Sequence, residues 1–132
     1  MKLIWLAVSL MAACFASLGA THDFEFREGG IIRGPKKTKQ IALEFTSGGF
    51  AEGGTIILDQ LKKHQAKASF FFTGDFFTNA ENKLLARRLL REGHYLGPHS
   101  DTHPLYCPWS GLKTTLVTKE FFIKDLENNL QK

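Results

Sequence analysis

Ala68-Ser69-Phe70-Phe71-Phe72 places three phenylalanines in succession near the middle of a 132-residue chain. A strand with one wet face alternates apolar and polar positions. A continuous apolar run instead suits burial on both faces, as in a parallel sheet. The flanking segments agree. Upstream, Ile41-Ala42-Leu43-Glu44-Phe45 reads as a short strand ending in the turn-forming Ser47-Gly48-Gly49. After Gly53-Gly54, Thr55 is expected to cap a helix carrying Ile56, Ile57, Leu58 and Leu61. Downstream, Asn79 caps an amphipathic helix with Leu84, Leu85, Leu89 and Leu90 inward and Lys83, Arg87, Arg88 and Arg91 toward water. Gly93 ends that helix. Tyr95-Leu96 form a very short third strand, and Thr118 opens a last helix with Phe122, Leu126 and Leu130 at fourfold spacing. Strand, helix, strand, helix, strand, loop, helix is a βαβ series, so the class is α/β with parallel strands.

The third strand runs directly into Gly97-Pro98-His99-Ser100-Asp101-Thr102-His103-Pro104. Were this stretch extended, the Cα atoms of His99 and His103 would lie roughly 13 Å apart, too far to share an ion. One helical turn would bring them to about 6 Å on a common face. Pro98 suits the first position of such a turn, and Pro104 pushes His103 out of the α region. The residues predict one isolated turn aiming two imidazoles at one point. Zinc or a similar divalent ion would accept that pair and still need a third, acidic ligand. Because the pair follows a strand, it belongs at the carboxyl edge of the sheet, where function gathers in α/β folds. The loop after the first strand, Thr46 to Gly54, opens on the same edge.

The start of the chain has another character. Lys2 precedes a nearly apolar run from Leu3 to Leu18, and Ser17-Leu18-Gly19-Ala20 supplies small residues before Thr21-His22-Asp23. Residues 1–20 are therefore expected to be a secretory signal peptide. The small residues favour cleavage over a membrane anchor, so no stable span is expected afterwards and the protein is exported, to the periplasm or beyond. Met11-Ala12-Ala13-Cys14 resembles a lipoprotein box only faintly, since the sequence stays apolar after Cys14. Cleavage would leave Cys107 as the sole cysteine, with no internal disulfide. Residues 21–39, polar and glycine-bearing, read as an irregular lead-in, and 40–132 as the folded domain. The formal net charge is +4. Its basic residues are scattered as solvated faces, with no basic stripe or motif for nucleic acid.

Ile41 to Phe45, Ile57 to His64, Lys67 to Gly74 and above all Glu92 to Pro104 resemble the polysaccharide deacetylases, carbohydrate esterase family 4. The likeness covers roughly Gln40 to Trp109. It implies a distorted, TIM-like (β/α) barrel that removes acetyl groups from the sugars of acetylated polysaccharides or oligosaccharides. It also implies a divalent ion, usually zinc, held by an H-[ST]-x-x-H turn and one aspartate. His99 and His103 match that turn residue for residue.

Two departures accompany the resemblance. The family's first motif, T-F-D-D-G, carries a general base and then a metal ligand. The aligned residues here are Glu44-Phe45-Thr46-Ser47-Gly48, so hydroxyls stand at both carboxylate positions. A neutral hydroxyl brings no charge to the ion and is too weak a base at neutral pH. Of the nearby acids Glu44, Glu52 and Asp75, Glu52 is the candidate replacement, being in the loop on the functional edge. Secondly, nothing after Trp109 resembles the family's later motifs, so the expectation is a truncated, N-terminal half of the barrel with impaired or absent activity. An open half-barrel would expose a sheet edge through which copies could associate. The rival reading is a non-catalytic fragment that binds carbohydrate or metal, with Tyr106 and Trp109 as flat apolar faces beside the site.

Overall fold

A computed structural model describes residues 24–37, 39–110 and 114–132. The signal-peptide reading of residues 1–20 falls outside them. The chain divides into two compact units, one up to Ile41 and one from Ala42 to Lys132.

In the first unit, β1 (Glu25–Arg27) and β2 (Gly30–Arg33) pair antiparallel. This corrects the irregular lead-in expected for residues 21–39. Glu28 and Gly29 join the strands with φ of 50° and 82°, the left-handed pair that a two-residue hairpin turn of type I′ requires.

The second unit runs β3 (Glu44–Ser47), α1 (Gly54–Lys63), β4 (Ser69–Phe72), a short 3-10 segment (Gly74–Thr78), α2 (Ala80–Arg91), β5 (Tyr95–Pro98) and α3 (Lys119–Leu130). Strand order is β3-β4-β5, and both pairings are parallel. The α/β class with a parallel sheet is as expected. The register aligns Phe45, Phe70 and Leu96 in one row and Thr46, Phe71 and Gly97 in the next. Successive rows face opposite sides of the sheet.

Phe70 and Phe72 form the core with Leu58, Leu61, Ala68, Phe76, Ala86 and Leu89. Phe72 and Phe76 stack with ring centres 3.7 Å apart. Phe71, on the other face, is only half-buried, so β4 is less symmetrically covered than three successive phenylalanines suggest. Its ring lies over Gly97, where a Cβ would come within 2.7 Å of it.

The helices form where expected, but their faces differ. Gly53, not Thr55, is the N-cap of α1, and Ile56 is exposed while Leu58 and Leu61 are buried. In α2 the inward residues are Asn82, Leu85, Ala86 and Leu89, and Leu84 and Leu90 are exposed. The apolar stripe is thus narrower than the leucine count implies. Arg88, read as solvent-facing, is half-buried. Its guanidinium donates to Glu92 at 2.8 Å and across to Asp59 of α1 at 2.6 Å. The Asn79 cap holds, its side chain accepting from the Glu81 amide. Gly93 closes α2 at φ 77°, with His94 N–H bonded to Leu89 O and Gly93 N–H to Leu90 O, a Schellman motif.

In α3, Thr118 caps as expected by accepting from the Phe121 amide at 3.1 Å. The buried positions, however, are Asp125 and Asn129, while Phe122 and Leu130 are exposed. The fourfold apolar spacing does not mark the inward face of this helix. The polar pair faces inward, where its partners are backbone groups and the Thr102 hydroxyl of the histidine turn and the Phe72 carbonyl of β4.

Candidate functional site

Parallel pairing brings the ends of β3, β4 and β5 to one edge. The ladder continues past the strands, with Thr73 N–H bonded to Ser47 O at 3.0 Å and His99 N–H to Phe72 O at 3.1 Å. His99 therefore starts its turn fixed to the central strand.

The turn is not the helical one expected from the spacing. Ser100 and His103 have φ of 63° and 50°, in the left-handed region that costs a residue with a Cβ about 1–2 kcal/mol. Pro104 does exclude His103 from the α region, as predicted, but the residue moves to positive φ. The two rings are nevertheless close, with the His99 and His103 imidazole centres 5.2 Å apart.

Several groups hold this backbone. His103 N–H donates to Ser100 Oγ at 2.9 Å, and Gly74 N–H is shared between Ser100 O and Asp101 O at 3.2 and 3.0 Å. The Asp125 carboxylate accepts from Asp101 N–H at 2.8 Å, Thr102 N–H at 3.0 Å and the Thr102 hydroxyl at 2.6 Å. Asn129 Nδ2 donates to Phe72 O at 3.0 Å and Ser100 O at 2.7 Å. Burial alone would raise the Asp125 carboxyl, but the bonds from the Thr102 hydroxyl and the two amides outweigh it, so the group sits below its ordinary value. Apolar spacing does not mark these residues. Their one available mark was an acid and an amide at i, i+4 in a helix otherwise rich in apolar residues.

The loop after β3 is arranged differently. The Ser47 hydroxyl donates to Phe50 O, which commits it within its own loop. From the strand spacings, the backbone of Ser47 lies about 10 Å from that of His99. Asn82 of α2 anchors the loop through Gly49 O at 3.3 Å. Glu52 is exposed and lines one cavity with Thr46, Ser47 and Phe50 and another with Thr55, Asn79 and Leu85, neither of which includes His99 or His103. Among the described residues, no group of three or more histidine, cysteine, aspartate or glutamate side chains is placed to hold an ion. The two imidazoles suit one side of a divalent ion, but the complete donor set that the family resemblance implies is not present here.

Beyond the turn, the Tyr106 ring packs edge-on against Phe122 at 5.1 Å, whereas Trp109 is 91% exposed. Cys107 is a free, half-buried thiol. His94 lies at the opposite edge of the sheet. Its Nδ1 accepts from Ala68 N–H at 3.3 Å and its ring packs on Phe70, so it is a core residue. Burial, with some repulsion from Lys67, holds its pKa below the ordinary imidazole value against the opposing pull of Glu92.

Residues 33–132 match the polysaccharide deacetylase family. A peptidoglycan-N-acetylglucosamine deacetylase of Bacillus cereus is 40% identical over 72 residues, which are 54% of this chain but 25% of that protein. A family 4 carbohydrate esterase from Bacillus anthracis superposes with a TM-score of 0.58 and 34% identity, over 70% of this chain and 40% of that one. A mutant, with restored enzymatic activity, of a Bacillus anthracis pseudoenzyme of carbohydrate esterase family 4 superposes at 0.62 and 26% identity, over 76% and 34%. This chain thus spans well under half the length of each of these relatives.

Proposed function

The chain belongs to the polysaccharide deacetylase family, and from that membership we propose a glycan-directed, deacetylase-like protein whose histidine pair holds a divalent ion weakly and whose 132 residues do not by themselves hydrolyse acetyl groups. In this reading the three parallel strands are the opening segment of the family's distorted barrel, and the substrate class is an acetylated cell-wall or related polysaccharide. Zinc is the favoured ion on donor chemistry, since neutral imidazoles suit it better than they suit magnesium or calcium. Residues 1–20 direct export, and a reporter fused to Met1–Asp23 that stayed in the cytoplasm would remove that part of the reading.

The observation that carries the proposal is the hydroxyl pair Thr46-Ser47 at the end of β3, with Ser47 already bonded to Phe50 O. Amide hydrolysis needs a base to activate water and an acid for the leaving amine, each typically contributing 10²- to 10⁴-fold. Neither Thr46 nor Ser47 can act as that base at neutral pH, and Glu52, which lines a cavity with both, shares no cavity lining with His99 or His103. The test is acetate release from an N-acetylated chitooligosaccharide or from peptidoglycan by the chain with zinc added. Release at background level is expected. Robust turnover that His99→Ala abolishes would overturn the proposal, and loss of that turnover in Glu52→Gln would then make Glu52 the base.

A second reading has its own observation. The 91% exposed Trp109 presents a flat apolar face of the kind that stacks on sugar rings, while Tyr106 is occupied by Phe122. Retention of the chain on insoluble chitin or peptidoglycan without acetate release, lost in Trp109→Ala, would favour a glycan-binding module.

A further inference from the structure

We propose that Asp125 and Asn129 of α3 are positioning residues that set the spacing of the His99 and His103 imidazoles for ion capture. The inference rests on the reading that this pair holds an ion.

Two of the five residues from His99 to His103 have positive φ without being glycine. Such backbone persists only where its surroundings over-determine it. Here those surroundings are largely one helix face. Asp125 and Asn129 are 4% and 5% exposed, one helical turn apart, and together they take up the amides of Asp101 and Thr102, the Thr102 hydroxyl and the carbonyl of Ser100. Every backbone group bonded in this way lies between the two histidines. Asn129 also donates to Phe72 O, the same carbonyl that accepts from His99 N–H, so the helix, the central strand and the turn share one point.

Hydrophobic anchoring does not account for this arrangement. Phe121, Phe122, Ile123 and Leu130 of the same helix are exposed, while the carboxylate and the amide are buried. Burying a carboxylate is unfavourable unless its oxygens are satisfied, and all three donors to Asp125 come from the turn. The chemistry of α3 is directed at the geometry of the histidine pair.

The test measures zinc affinity of the 132-residue chain by competition with a chromophoric chelator, alongside urea stability. Asp125→Ala and Asn129→Ala are expected to weaken zinc binding by about 10- to 100-fold, the usual effect of removing the groups that orient metal ligands. Asp125→Asn, which keeps one acceptor oxygen, should fall between. Thr118→Ala removes the cap at the other end of α3 and serves as the control: it should lower stability yet leave affinity within about twofold. In the metal-free protein, the ring-proton contact between His99 and His103 seen by NMR should weaken in Asp125→Ala and persist in Thr118→Ala. Unchanged affinity and ring contact in folded Asp125→Ala would overturn the inference while leaving the ion site standing. Zinc binding that survives His99→Ala/His103→Ala would instead sink the ion-site reading, and the inference with it. If Asp125→Ala does not fold, Thr102→Ala, which deletes only the hydroxyl donor, carries the same comparison. Loss of affinity in it supports the inference, and wild-type affinity overturns it.

Discussion

At Gly74 the fold leaves no room for one more carbon. A Cβ there would lie 1.8 Å from Asp101 Oδ1 and 2.8 Å from Asp101 O, so Gly74→Ala must push the histidine turn away from β4. A destabilisation of about 1–3 kcal/mol is expected from such overpacking, measurable as a lower urea midpoint. A wild-type midpoint would show that the turn yields freely. His94 makes a pH prediction. Its folded pKa is depressed, chiefly by burial, so protonation favours the unfolded chain. Its contribution is complete above the ordinary imidazole value of about 6.5 and is lost as pH falls through the lower folded value. Urea midpoints should drop between pH 7.5 and 5.5, and His94→Gln should flatten the drop; an equal drop in the variant would assign it elsewhere. Glu92 and Asp125, whose depressed carboxyls titrate lower, act below that window. At this scale the histidine pair was legible because proline and spacing leave few ways to join two imidazoles. Asp125 and Asn129 were not, because a hydrogen bond to distant backbone leaves no period in the sequence.

Among the elements, the two ends of α2 explain which boundaries could be read. Asn79 and Gly93 have side-chain or backbone properties that only a cap uses well, and both occur where expected. The end of α1 is built on the same plan with a less suitable residue. Ala66 N–H bonds to Leu61 O and Gln65 N–H to Lys62 O, with Gln65 at φ 53° where α2 has glycine. Gln65→Gly should therefore stabilise the protein by about 1 kcal/mol, seen as a higher thermal midpoint. A lower midpoint would mean that the Gln65 side chain contributes more than its backbone costs. The β1–β2 hairpin escaped sequence reading for a related reason. Glu28-Gly29 is a less common turn pair than Asn-Gly, and Gly29-Gly30 looks like a break until Glu28 is known to adopt positive φ. In α3 a genuine apolar spacing pointed the wrong way, since tertiary hydrogen bonds decided the inward face.

Across the whole molecule, parallel strand order made the edge that carries the histidine turn legible before any side chain was placed. It puts the ends of β3, β4 and β5 together and assembles the histidine turn there. What it cannot supply is charge. Thr46 and Ser47 occupy the strand end from which the family resemblance expects carboxylates, and the described residues form no three-ligand group around the histidines. Zinc titration of the wild-type chain against Thr46→Asp/Ser47→Asp tests this most directly. One unit charge about 4 Å from another is worth about 4 kcal/mol at an effective dielectric of 20, and tenfold in affinity needs only about 1.4 kcal/mol. The wild type should bind zinc weakly and only through His99 and His103, and the double variant should bind at least about tenfold more tightly. Tight binding by the wild type, with no gain in the double variant, would contradict a site whose deficit is its missing carboxylate.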